Sequence, residues 1–132
     1  ESTVADLGAE LSADDASLLA GTIRNRQLTH EARQLLGSAS VDYRALGALL
    51  DEHQAVLRDR LRISTPKIDR MLDAARAAGA YGGKINGSGG GGCMFAYAPE
   101  NPEKVKAAIE DAGGEAFIIV SDSGSREDLV EE

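Results

Sequence analysis

Gly82-Gly83-Lys84-Ile85-Asn86-Gly87-Ser88-Gly89-Gly90-Gly91-Gly92-Cys93-Met94-Phe95 decides how the rest of the chain is read. Five of the six residues from Gly87 to Gly92 are glycine, and strand-like residues stand on both sides. Glycine is the costliest residue to order, so a glycine cluster between strands needs a geometric reason. Two reasons are available: backbone angles that other residues resist, or close approach of a ligand to the main chain. Successive N–H groups in such a turn also converge into a concavity that suits an anion. The run therefore reads either as a loop that embraces a phosphate or sugar, or as a flexible hairpin connection. It is not a Walker loop, because no Gly-Lys-Ser/Thr ending follows, and it lacks the strand-then-helix setting of a dinucleotide fingerprint.

Outward from this run, the chain divides by pattern. Upstream, Ser12 followed by Asp15 resembles an acidic capping box, opening a helix with Leu18, Leu19, Ile23, Leu28 and Leu35 as apolar positions. Gly37 sits where such a helix stops. A second helix is expected after Ser40, with Tyr43, Leu46, Leu49, Leu50, Leu57 and Leu61 on one stripe. Thr65 is placed to cap a third helix, with Pro66 at its first position, where a missing N–H costs nothing. Ile68, Met71, Leu72 and Ala75 give that helix a buried face, and Gly79 ends it. Val4, Leu7 and Leu11 also recur at helical spacing.

Downstream, residues 82–86 and 93–98 read as two strands joined by the glycine run, with Pro99 closing the second. Asn101 and Pro102 open a fourth helix carrying Val105, Ala108 and Ile109, stopped by Gly113-Gly114. Phe117-Ile118-Ile119-Val120 is a continuous apolar run, expected to be an inner strand. The acidic tail after Asp122 is expected to fray. The fold class is thus α+β, with helices packed on one face of a small antiparallel sheet. Three strands is few for such a sheet, so a further strand is expected from elsewhere.

A chain of 132 residues is enough for one domain with a sizeable core, and residues 1–132 are read as a single domain. Charged residues at 27% and hydrophobic ones at 42% argue against disorder. A net charge of -8 disfavours nucleic acid as a partner, since backbone binding needs clustered Lys and Arg. No segment approaches the ~20 consecutive apolar residues of a membrane span, and no signal peptide is visible. The single Cys93 cannot form an internal disulfide, which fits a reducing, cytoplasmic setting. Its neighbours Met94 and Phe95 suggest a small residue in a buried strand. The start at Glu1 suggests a trimmed or excised segment.

Placed in a hairpin behind a long helical segment, the glycine run resembles the third motif of the GHMP kinases. That family comprises galactokinases, homoserine kinases, mevalonate kinases and phosphomevalonate kinases. The helices resemble its galactokinase branch: Asn25-Arg26-Gln27-Leu28, Leu46-Gly47-Ala48-Leu49-Leu50, His53-Gln54-Ala55-Val56-Leu57-Arg58-Asp59 and Ile63-Ser64-Thr65-Pro66-Lys67-Ile68-Asp69. The likeness runs from about Arg24 to Val120. One departure stands out. Galactokinases usually read Gly-Gly-Gly-Phe-Gly-Gly in the motif, whereas this chain has Gly-Ser-Gly-Gly-Gly-Gly, closer to mevalonate and heptose kinases.

The resemblance implies the ferredoxin-like C-terminal domain of an ATP-dependent small-molecule kinase, galactokinase-like, that moves the γ-phosphate to a sugar hydroxyl. A mevalonate kinase-like enzyme is the alternative. ATP and Mg2+ are the implied cofactors of the full-length enzyme, and a sugar and the protein's own N-terminal kinase domain the implied partners. The family's phosphate loop and acidic catalytic residue have no counterpart here, so no catalytic residue and no metal ligand is assigned, and the isolated chain is expected to be inactive. The resemblance places Gly87, Ser88, Gly89, Gly90, Gly91 and Gly92 against the phosphates and substrate. A side chain there would push a ligand away.

Other candidates have a bland reading beside the functional one. Ser88 can donate to a phosphate or satisfy the turn. Lys84 can add charge at a cleft or be a solvated edge residue. Arg58 and Asp59 can orient a hydroxyl or pair with each other. His30 and His53 lack the paired spacing of a metal site. A metabolite-sensing module competes with the kinase reading, but has no need of the Leu-Arg-Asp and Ser-Thr-Pro segments in that order. A helical interaction domain leaves the glycine run without a reason.

Overall fold

The computed structural model describes residues 11–121 and Gly124. The helical spacing through Val4 and Leu7, and all of the acidic tail after Asp122 except Gly124, lie outside those residues. Among the described residues there are four helices and two strands: α1 (Ala13–Leu36), α2 (Tyr43–Asp59), α3 (Pro66–Ala77), β1 (Gly82–Asn86), β2 (Cys93–Tyr97) and α4 (Pro102–Asp111). The architecture is α+β, as the change of pattern at Gly82 implies.

Caps fix where the helices begin. Ser12 Oγ accepts the Asp15 N–H at 3.1 Å and donates to the Asp15 carboxylate at 2.6 Å. Asp42, rather than a serine, opens α2 by accepting the N–H groups of Arg44 and Ala45, both at 3.0 Å. Thr65 accepts the Ile68 N–H at 3.3 Å, with Pro66 first in α3. Asn101 occupies the cap position of α4 without making a side-chain cap hydrogen bond, so Pro102 alone supplies the local start signal.

The strands pair antiparallel, Gly82 opposite Tyr97 through Asn86 opposite Cys93. Ile85 and its partner Met94 point to one face, where Leu57, Ile68, Met71, Leu72, Ala75, Val105 and Ile109 form the core. Ile68, Leu72 and Ile85 are almost fully buried, each contributing about 2 kcal/mol by leaving water. α4 packs on α3, and α1 on α2. Lys84 and Phe95 oppose each other on the other face.

α2 lies along β1 because neither surface carries a side chain at the contact. A Cβ on Gly47 would fall 2.3 Å from the Tyr81 carbonyl oxygen, and one on Gly82 would fall 1.9 Å from that of Gly47. At this range α2 also serves the strand's outer edge. Gly83 N–H donates to Asp51 Oδ1 and Ile85 N–H to Gln54 Oε1, each at 2.9 Å.

The third strand does not form. Phe117-Ile118-Ile119-Val120 stands outside any sheet, with Phe117 75%, Ile119 81% and Val120 90% exposed. A groove of about 900 Å³ separates it from β2, lined by both segments and by Val105 and Ile109 of α4. An apolar run becomes an inner strand only when a neighbour takes up its backbone hydrogen bonds, and among the described residues the sheet consists of β1 and β2 alone. Cys93 is likewise exposed, not buried, because β2 begins at the lip of the glycine loop, opposite exposed Asn86.

Candidate functional site

Gly87, Ser88, Gly89, Gly90, Gly91 and Gly92 come together as the turn between β1 and β2. Gly87, Gly89, Gly90 and Gly91 have φ of 83°, 80°, 70° and 95°, in the left-handed region that other residues resist. Conformation thus accounts for four of the five glycines. Gly92 is outside that region, and its Cβ would meet only the Gly89 carbonyl oxygen, at 3.6 Å.

The loop is seated, not loose. Gly90 N–H donates to the Ile63 carbonyl at 2.9 Å, and Gly89 lies so close to Ile63 that a Cβ would sit 2.4 Å from that same oxygen. A Cβ on Gly91 would touch Thr65 Cγ2 at 3.6 Å. The underside of the loop therefore rests on Ile63-Ser64-Thr65, the segment before α3. A Cβ at Gly87 or Gly90 would meet nothing within 4 Å, so bare main chain faces open space there. Ser88 is exposed on the same turn. Exposed peptide groups held in fixed directions can bind an anion without basic side chains.

Lys84 follows neither expectation. It is half-buried, donates from Nζ to the Ile85 carbonyl at 2.5 Å and lies 5.5 Å above the Phe95 ring. Burial lowers its pKa from the ordinary value. His53 on α2 is also half-buried, and its pKa is lowered first by burial and then by the charge of Lys84. His30 is exposed. Arg58 and Asp59 bind each other, Nε to Oδ1 at 2.7 Å and an Nη to Oδ2 at 3.0 Å, which raises the arginine's pKa and lowers the aspartate's. Among the described residues no group of three or more His, Cys, Asp or Glu could hold a metal ion. No helix among them is long and apolar enough to cross a membrane.

Sequence reasoning missed the residues that support the loop. Gln54 is 1% exposed; beyond accepting from Ile85, its Nε2 donates to Ser64 Oγ at 3.1 Å. Ser64 in turn donates to Asp69 Oδ1 at 2.7 Å. Asp51 accepts from Arg76 Nε at 3.0 Å while holding Gly83. The available signal was a pair of acceptors three apart on α2, a spacing that places both on one helix face.

The model of the family described as GHMP kinases C terminal matches residues 30–128. A mevalonate kinase of Thermococcus onnurineus is 49% identical over 82 residues, 61% of this chain and 24% of that protein. Another, of Thermococcus gammatolerans, is 40% identical over 104 residues, 76% of this chain and 31% of that protein. The human galactokinase is 34% identical over 108 residues, 76% of this chain and 28% of that protein. The chain thus spans between about a quarter and a third of the length of these relatives.

Proposed function

The chain belongs to the GHMP kinases, whose C-terminal part it matches, and on that premise we propose that the full-length protein phosphorylates mevalonate at the expense of ATP. Residues 1–132 serve in it as one domain that closes over the phosphates. The observation that carries the reading is the glycine loop. Its underside is fixed to Ile63-Ser64-Thr65, and bare main chain at Gly87 and Gly90 faces outward. Phosphoryl transfer asks the protein mainly to position reactants and to stabilise charge on the moving group. A loop seated on one side and open on the other does both. Gly87 to Gly92 hold the phosphates, and the Ser88 hydroxyl adds a donor.

Mevalonate is preferred to a sugar for two reasons. Relatives carrying the mevalonate kinase name reach 49% identity, against 43% for a galactokinase of Streptomyces coelicolor and 34% for the human one. The loop also lacks the phenylalanine that galactokinases usually carry in this motif. ATP enters with Mg2+, and the described residues supply no cluster for the metal. Its ligands and the acidic catalytic residue are assigned to the protein's own N-terminal domain. The isolated chain then holds only part of the phosphate cradle, and calorimetric titration with Mg-ATP is expected to show little heat. The deciding experiment assays the full-length protein with ATP and either mevalonate or galactose. Transfer to mevalonate is expected, and transfer to galactose alone would restore the sugar kinase reading.

A further inference from the structure

We infer that Gln54 is a positioning residue of the glycine loop: one side-chain amide ties the strand entering the loop to the platform beneath it. The inference rests on the proposed kinase reading, in which the loop meets the phosphates.

The two ends of this amide do different things. Its oxygen accepts the N–H of Ile85, two residues before Gly87, at 2.9 Å. Its nitrogen donates at 3.1 Å to Ser64. Ser64 lies between Ile63, whose carbonyl receives the Gly90 N–H, and Thr65, which lies under Gly91. Ser64 cannot point its own proton at Gln54, because that proton goes to Asp69 Oδ1 at 2.7 Å. The position therefore demands a donor and an acceptor on one short planar group. Aspartate, glutamate, methionine and leucine each lack one or both, and only an amide or a protonated acid supplies the pair. The site is buried, so water cannot replace a lost partner.

A network that merely filled the core would not tie its two ends to the same loop. Here the four-member relay of Ile85, Gln54, Ser64 and Asp69 spans β1, α2, the segment before α3, and α3 itself. If Gln54 lets go of Ser64, the direct tie between this platform and Ile85 is lost, and the Ile63 and Thr65 contacts under the loop can shift relative to β1. Displacement by ~1 Å at a reacting centre can cost on the order of a hundredfold in rate.

Gln54→Glu tests this by pH. A buried carboxyl has a raised pKa, so it is protonated at low pH and ionised at high pH. Protonated, it donates to Ser64 and accepts from Ile85 as the amide does. Ionised, it can only accept. Charged groups on the packed elements include Asp51 and Asp73 with Arg76, Arg58 with Asp59, Asp69, and Lys84 beside His53. Of these His53 has its ordinary pKa nearest the test range, so the series is run in a His53→Gln background.

In the full-length protein, Gln54→Glu is expected to lose on the order of tenfold or more in kcat/KM for ATP at about pH 8. Relative to the unaltered protein it recovers by about pH 5.5, and Gln54→Met stays low at both. Full activity of Gln54→Glu at the higher pH overturns the inference. So does an equal loss in both variants with no recovery, which marks a purely structural role. Hydrogen exchange at Gly90 at the higher pH supplies a readout without turnover. Faster exchange in Gln54→Glu is expected, and an unchanged rate overturns the inference. Absence of transfer to mevalonate or sugar by the unaltered protein would sink the kinase reading instead, and the Gly90 exchange would still decide the role of Gln54.

Discussion

The outer edge of β1 and the outer edge of β2 meet opposite fates. On β1, α2 approaches until the main chains of Gly47 and Gly82 touch, and Asp51 and Gln54 take the outward N–H groups of Gly83 and Ile85. On β2, parity sends the N–H groups of Met94 and Ala96 outward, toward a groove of about 900 Å³ whose far wall is Phe117 to Val120. An edge strand is a liability unless something covers it. Here a helix has closed one edge with two side-chain acceptors, and the glycine loop hangs from that closed edge. Order at the loop is thus expected to depend on the β1 side and to be nearly indifferent to the β2 side.

The largest effect should come from Gly47→Ala. Alanine favours a helix over glycine by about 1 kcal/mol, but its Cβ would sit 2.3 Å from the Tyr81 carbonyl oxygen, against backbone that cannot swing away. The collision outweighs the propensity. A net loss of roughly 3 kcal/mol is expected in urea denaturation, and unchanged stability would mean that α2 does not press on β1. Asp51→Ala comes next. It leaves the Gly83 N–H without its acceptor and Arg76 without one of its two carboxylates, for a loss of about 2 kcal/mol. Asp51→Asn, which keeps an acceptor for Gly83, should cost less than half of that.

A smaller effect is expected from pH on the same side. His53 has a folded-state pKa below its ordinary 6.5. The unfolded chain therefore binds more protons than the folded one near and below that value, and stability falls as pH drops through it. Thermal midpoints from pH 8 to 5 should decline less steeply in His53→Gln than in the unaltered protein. Parallel curves would show that burial at this position does not govern its titration. The smallest effect belongs to the open side. Ile119→Ser removes an exposed side chain and should change stability by no more than about 0.5 kcal/mol, while lowering the binding of an apolar dye. A large destabilisation would mean that residues 117–120 pack as a strand after all.

What was legible in the sequence follows the range of the signal. Ser12, Thr65 and Pro66 announce helix starts through bonds within three residues, and those starts are where they were expected. The hairpin around Gly87 to Gly92 was legible because glycines between strand-like runs have few other uses. Phe117 to Val120 was misread because hydrophobicity states a preference for burial and cannot supply the partner. Cys93 was misread for a related reason: its apolar neighbours are real, but register places it at the mouth of the loop. Gln54 and Asp51 escaped notice since their partners lie 31 and 32 residues away on a strand. The loop's glycines were recognised as a group, whereas which of them conformation requires depends on φ values that no sequence pattern separates.

That last distinction supplies the most direct test. Gly92 is the one glycine of the loop that neither a left-handed φ nor an internal collision requires. Gly92→Val should therefore fold with a thermal midpoint close to that of the unaltered full-length protein. If bare main chain in this loop receives the phosphates, the added side chain obstructs them, and turnover with ATP and mevalonate should fall by on the order of a hundredfold. A folded Gly92→Val protein with near-normal turnover would contradict the account and leave the glycine run as a connection between two strands.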